Sequence, residues 1–162
     1  MTFYRQGRGA ARAAVALAVV LGGLASMVTA SRAGSVSPAT KELLQSSSYI
    51  YTATTRKSGA LSESVPIWFM YDGDRIFFTT GPESWKAKRI ARGSPLTIHV
   101  GTKTGPTLVG KATKVTDPAL IDRMGQAYGA KYWIAWLGLF RPRSDRVTAG
   151  KTVAYLVDVE ER

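Results

Sequence analysis

From Tyr49 onward the chain is cut into short pieces by turn signals: Arg56-Lys57-Ser58-Gly59, Tyr71-Asp72-Gly73-Asp74, Gly81-Pro82, Gly93-Ser94-Pro95 and the stretch from Gly101 to Gly105. Between them the residues are β-branched and aromatic and alternate apolar with polar, the period of a half-buried strand. Strands are predicted over residues 49–55, 62–70, 75–80, 96–100, 107–115 and 153–159. Pro66 falls inside the second of these, which marks an edge, a bulge or a barrel rim. Asp72-Gly73 is a strong hairpin signal. Helices are predicted over residues 84–92 and from Asp117, as cap, towards Gly129. A third, over 132–140, is expected to pack Trp133 and Trp136 into a core or a subunit interface. About six strands in short hairpins with two or three inserted helices make an α+β, mainly β chain: a small barrel, not a βαβ sheet.

The region before Tyr49 reads differently. Arg5, Arg8 and Arg12 precede an uncharged run from Ala13 to Val28, followed by small residues. That is the layout of a secretory signal over residues 1–33, with Val28-Thr29-Ala30 or Ser31-Arg32-Ala33 as cleavage site. An uncleaved membrane anchor, or a start at Met27 with a cytoplasmic product, are the alternatives; the arginines are not adjacent, so the twin-arginine route is not indicated. Residues 34–44 read as a Ser/Thr/Ala/Pro-rich linker with one helical turn around 41–45, ahead of a domain over 45–162. Four arginines lie before residue 34 and no acid does. The full chain carries +11, and the remainder keeps eighteen basic against eleven acidic residues, a net +7. The domain itself is basic, which favours an anionic partner.

Cysteine is absent and His99 is the only histidine, so a thiolate metal site, a cysteine nucleophile or a conventional Ser/His/Asp triad has no residues to build it. His99 sits on the polar face of its strand, which leaves structural and ligand-contacting roles both open. Gly105 to Ala112 reads G-x-x-x-x-G-K-A, but Ala112 stands where a phosphate loop needs Ser or Thr, and the segment alternates as a strand. Gly110 is better explained by close strand packing. No G-x-G-x-x-G occurs. Asp72, Asp74, Asp117 and Asp122 are accounted for by turns and caps.

The segment Thr79-Thr80-Gly81-Pro82-Glu83-Ser84-Trp85-Lys86-Ala87-Lys88-Arg89 stands apart. Two hydroxyls end a strand and a helix start follows, with Ser84, Lys86, Lys88 and Arg89 able to donate hydrogen bonds to a phosphate. A short solvated basic helix would have the same composition.

Taken in chain order, Tyr49 to Thr55 with Arg56-Lys57-Ser58-Gly59, Val65-Pro66-Ile67-Trp68-Phe69, Thr79-Thr80 with Ser84-Trp85-Lys86-Ala87, Ser94-Pro95, and Gly110-Lys111-Ala112 resemble the pyridoxamine 5′-phosphate oxidase-like superfamily. The resemblance spans about residues 45–160 and implies a split β-barrel that binds FMN or the deazaflavin coenzyme F-420. By that likeness the cofactor phosphate lies against Thr80, Ser84 and Lys86, the ring along Val65, Pro66 and Ile67, and Arg56, Thr79, Trp85 and Lys88 complete the candidate set. A homodimer is implied as well, with Trp133 or Trp136 offered to the partner's site. The pyridoxamine-phosphate oxidases themselves carry Arg and Lys where this chain has Ser64 and Phe69, and Arg where it has Trp85. The likeness therefore points to the broader reductase branch. No catalytic side chain is assigned.

Three readings follow: a flavin- or deazaflavin-dependent oxidoreductase acting on a small substrate; a cofactor- or haem-binding split barrel without turnover; and a basic barrel that stacks single-stranded nucleic acid on exposed aromatics. The aromatics pattern as core-facing, which ranks nucleic acid last. Membrane contact is expected only through the N-terminal segment.

Overall fold

The computed structural model describes residues 35–162, so the export signal or anchor expected over residues 1–33 lies outside the described residues. Seven strands form one sheet: β1 (Ile50–Thr54), β2 (Val65–Ile67), β3 (Met70–Asp72), β4 (Arg75–Thr80), β5 (Leu96–Val100), β6 (Thr107–Val115) and β7 (Val153–Glu161). Helices α1 (Pro38–Ser46), α2 (Trp85–Ala91), α3 (Pro118–Lys131), α4 (Trp133–Trp136) and α5 (Ser144–Thr148) are inserted around it. The strand order is β2-β1-β5-β6-β7-β4-β3 and every pairing is antiparallel.

That order closes the sheet. β2 and β3 are its two outer strands, yet only Trp68 and Phe69 separate them in the chain. Three Cα–Cα steps reach at most about 11 Å, so the edges must lie side by side and the sheet curls into a split barrel. The single strand predicted over 62–70 is therefore two, because the chain leaves one edge at Ile67 and joins the other at Met70. Pro66 sits in the short edge strand β2, opposite Tyr51, as a residue without an N–H requires. At the β3–β4 hairpin Gly73 (φ 56°) and Asp74 (φ 61°) are both left-handed, the geometry of a two-residue type I′ turn.

Both faces of the sheet are covered. Ile50, Phe69, Ile76, Phe78, Leu96, Ile98, Val100, Leu108, Tyr155 and Val157 fill the barrel interior. On the outside, Met70, Phe77 and Ala154 pack under Ile121, Met124 and Tyr128 of α3. Gly110 permits the β6–β7 approach: a Cβ there would stand 2.2 Å from the Asp158 carbonyl oxygen. The glycine of the loop-like motif is thus a packing glycine inside a strand.

From residue 35 on, the expected linker over 34–44 is more than a linker. Ser37 caps α1, Pro38 opens it, and Thr40 Oγ1 and the Ser37 amide both donate to the Glu161 carboxylate at 2.6 Å. Val36 and Leu44 belong to the barrel core. The segment is helical because its cap signal is strong and its two buried apolar residues seal the barrel, a burial that composition alone does not register. The helix predicted over 132–140 is also corrected. Only Trp133–Trp136 is helical, and Gly138 (φ 84°) and Phe140 (φ 58°) turn the chain away. Trp133 and Trp136 are each 73% exposed in the chain, not packed in its core. No helix among the described residues is long and apolar enough to cross a membrane.

Candidate functional site

Barrel closure brings opposite ends of the sheet to one cavity of about 720 Å³. Ile67 and Trp68, at the end of β2, form one wall; Thr79, Thr80 and Gly81, at the end of β4, form another. Tyr128 of α3 lies between them, and the segment from Gly138 to Arg146 supplies Leu139, Phe140, Arg141, Arg143 and Arg146, with Thr152 beside them.

Tyr128 of α3 and Tyr132, the extended residue that caps the C-terminus of that helix, hold the seam. Tyr128 Oη donates to the Trp68 carbonyl at 2.8 Å, and Tyr132 Oη accepts from the Phe69 amide at 3.0 Å and donates to the Ser48 carbonyl at 2.9 Å. Burial raises both phenols, Tyr132 to about 12, so both stay protonated as these bonds require. The Trp68 ring stacks on Tyr132 with centroids 4.3 Å apart and meets Tyr128 and Phe140 edge-on at 6.2 and 6.1 Å. A planar, apolar wall is thereby fixed against the C-terminal end of α3.

The structure brings three of the sequence-predicted residues, Ile67, Thr79 and Thr80, to this cavity. Ser84 adjoins it through Thr80, hydroxyl to hydroxyl at 3.1 Å, but its oxygen also accepts the Ala87 amide at 3.1 Å. Ser84 is the N-cap of α2, and its capacity to bind anything else is reduced accordingly. Lys86 is half-buried, its Nζ 5.6 Å from the centre of the Phe78 ring, and no carboxylate pairs with it among the described residues. Desolvation holds its ammonium down at about 8. Val65 and Pro66 lie on the exposed edge strand, Trp85 is 69% exposed, and Lys88 pairs with Glu83 at 2.8 Å. None of these four lines the cavity. Arg56 lines a separate recess of about 350 Å³ with Lys57, Arg89, Arg92 and Ser94, which has no acidic residue in its lining.

His99 bonds through Nδ1 to Thr107 Oγ1 at 3.1 Å across the β5–β6 pair and lines neither recess. The expectation that the aromatics face the core fails for Trp85, Trp133, Trp136 and Phe140, all strongly exposed. Tyr128, Arg141, Arg143 and Arg146 were not singled out from the sequence. Tyrosines four residues apart at the end of α3 and the arginines at 141, 143 and 146 are the signals the sequence offers.

Residues 36–161 match the family described as pyridoxamine 5′-phosphate oxidase, and the chain belongs to that family. Its fold is shared with a pyridoxamine 5′-phosphate oxidase-like protein from Listeria innocua, at TM-score 0.54 and 12% identity over 76% of this chain and 94% of that one. It is shared also with HutZ, the haem storage protein of Vibrio cholerae, at TM-score 0.53 and 14% identity over 77% and 90%. General Stress Protein 26 of Bacillus anthracis matches at TM-score 0.51 and 18% identity over 74% and 84%. Likeness at these identities concerns the fold alone. No curated protein is significantly similar in sequence.

Proposed function

We propose that this family member is a flavin-type oxidoreductase that seats FMN or a deazaflavin in the 720 Å³ cavity and acts there on a small substrate. The observation that carries the reading is the meeting of Ile67 with Thr79 and Thr80, far apart in strand order, around one partly apolar cavity of ligand size. The residues present suit the cofactor. Trp68 offers a fixed apolar surface to a planar ring, Thr79 and Thr80 bring hydroxyls to the cavity, and Lys86, just outside its lining on α2, has no acidic partner among the described residues. The cofactor, when bound, supplies hydride transfer. The chain's part is to orient the ring, meet the phosphate with Lys86 and Thr80, and hold the seam closed through Tyr128 and Tyr132.

The separate basic recess of Arg56, Lys57, Arg89 and Arg92 would suit the longer polyanionic tail of the deazaflavin, and FMN needs only the first cavity. Haem binding without turnover is the weaker reading, because the only histidine, His99, lies away from the cavity. We propose further that two copies of the chain associate through Trp133, Trp136, Leu137, Leu139 and Phe140, whose exposure of 54–77% is costly for a lone chain. An exported or membrane-anchored location remains the proposal from the N-terminal pattern.

The test is a visible-absorption and fluorescence titration of the purified chain with FMN, the deazaflavin coenzyme and haemin. A shifted and quenched flavin-type spectrum, followed by reduction with NAD(P)H or a reductase, supports the oxidoreductase. A spectral change with haemin alone overturns it in favour of the haem reading, and no change with any of the three overturns both.

A further inference from the structure

We propose that Arg141, Arg143 and Arg146 form an anion-binding rim on the cavity, and that the substrate is an apolar, planar compound carrying a carboxylate or phosphate group. The assignment rests on the reading of this cavity as the reaction site, and it adds the substrate's charge and shape.

The charge balance comes first. Three guanidiniums line the cavity and no carboxylate does. Arg143 is held by Asp145 through a two-point ion pair, with both bonds at 2.9 Å. Asp122 accepts from the Ser144 amide at 3.4 Å, and neither acid belongs to the lining. Arg141 and Arg146 have no acidic partner among the described residues. Arg141, partly buried, and Arg146, exposed, are therefore left at a partly apolar space without an acid, and can donate charge-assisted hydrogen bonds to an anion there.

Arg141 is also built into place. Its Nε donates to the Gly125 carbonyl at 3.1 Å, which fixes the guanidinium against α3. Gly125 lets the segment come this close: a Cβ there would stand 2.5 Å from the carbonyl oxygen of Pro142, the residue after Arg141. The terminal nitrogens of Arg141 carry no hydrogen bond among the described residues. A planar fork with one N–H tied and the rest available is suited to an oxyanion, and little conformational freedom remains to be lost on binding.

The facing wall sets the rest of the ligand. Trp68 and Phe140 meet edge-on at 6.1 Å, with Ile67 and Leu139 beside them. A ligand reaching both walls has an apolar body at one end and an anion at the other.

Calorimetric titration of the full chain, with and without flavin, tests this with three probes of one shape: 2-naphthoate, 2-naphthyl phosphate and the neutral 2-naphthamide. At least one anionic probe is expected to bind ten times more tightly than the amide, and whichever does so identifies the anion. Arg146→Gln, an exposed position that leaves the packing intact, should lower that ratio, and Arg141→Gln with Arg146→Gln should abolish it. The flavin spectrum should stay unchanged in both variants, and circular dichroism checks their folding. Equal binding of all three probes, binding of none, or a ratio retained in the double variant overturns the proposal. Loss of flavin binding in Arg146→Gln also overturns it, since the rim then holds the cofactor. Discrimination without any flavin binding leaves the rim standing and removes the oxidoreductase reading instead.

Discussion

Replacing Lys86 by Met should make the empty protein more stable and the cofactor-bound protein weaker. Burial holds the Lys86 ammonium down at about 8 from its ordinary 10.5, which corresponds to about 3 kcal/mol against the charged form. The Phe78 ring beneath it returns up to about 1 kcal/mol through its π face. Removing the charge while keeping the length of the side chain should therefore add about 2 kcal/mol at pH 7. The pH dependence has a definite sign. Below about pH 8 the lysine is charged in folded and unfolded chains alike, and the full penalty applies. From there to pH 10.5 the unfolded chain binds the proton that the folded chain has released, so the parent gains stability as pH rises. Above 10.5 the penalty is gone and the advantage of Met with it. Urea unfolding of parent and variant at pH 7, 8.5 and 10 measures the difference, and the subtraction removes Lys131, which burial also lowers to about 8. Binding should move the other way. Loss of a charge-assisted bond to phosphate costs about 1.5–3 kcal/mol, roughly ten- to a hundredfold in Kd. The parent's affinity for FMN should fall as pH rises through about 8, while that for riboflavin, which lacks the phosphate, should not. A variant no more stable than the parent at pH 7, with a difference flat in pH, would refute the desolvation argument.

Tyr132→Phe leaves the buried Phe69 amide and the Ser48 carbonyl without the phenol, which should cost about 2–3 kcal/mol by denaturant unfolding. Tyr128→Phe, losing one bond to the Trp68 carbonyl, should cost about 1 kcal/mol; the reverse ranking would show that Tyr128 is the main stitch. Gly110→Ala places a Cβ 2.2 Å from the Asp158 oxygen and 2.8 Å from Val157 Cγ1, so it should destabilise by at least about 2 kcal/mol. Gly81→Ala, with nothing within 4 Å, should stay within about 0.5 kcal/mol in the same assay. Trp133→Glu with Trp136→Glu should convert a dimer to a monomer by light scattering, and a parent that is already monomeric at high concentration removes the proposed interface.

The strands were legible because a residue's face in a sheet follows from its parity. Leu96, Ile98 and Val100 are buried while Thr97 and His99 are only partly so, and nothing from elsewhere in the chain is needed to know it. Barrel closure was not legible in that way. The uninterrupted apolar run from Val65 to Met70 looks like one strand, and its division at Trp68-Phe69 depends on the opposite edge of the sheet and on hydroxyls from Tyr128 and Tyr132, sixty or more residues away. The aromatic stretch around Trp133 misled for a related reason. Apolar residues imply burial, but sequence does not say whether the burying surface belongs to the same chain.

Ser84 shows a deeper ambiguity. A serine before a helix with lysines behind it is the signature of a capped N-terminus and equally of a phosphate seat, because both use the same exposed N–H groups. The structure gives the hydroxyl to the Ala87 amide, and so moves the weight of anion recognition to cations that nothing else neutralises. Lys86 is one, and its position after Ser84 made it visible. Arg141 and Arg146, in the cavity lining, are two more, and no motif announced them. Their meaning depends on Gly125 of α3, on a carboxylate that silences Arg143 but not its neighbours, and on a cavity wall from the far edge of the sheet. A net charge of +7 outside the N-terminal segment says that an anion is wanted. Which cations are left unpaired, and what they face, is decided only when the barrel closes.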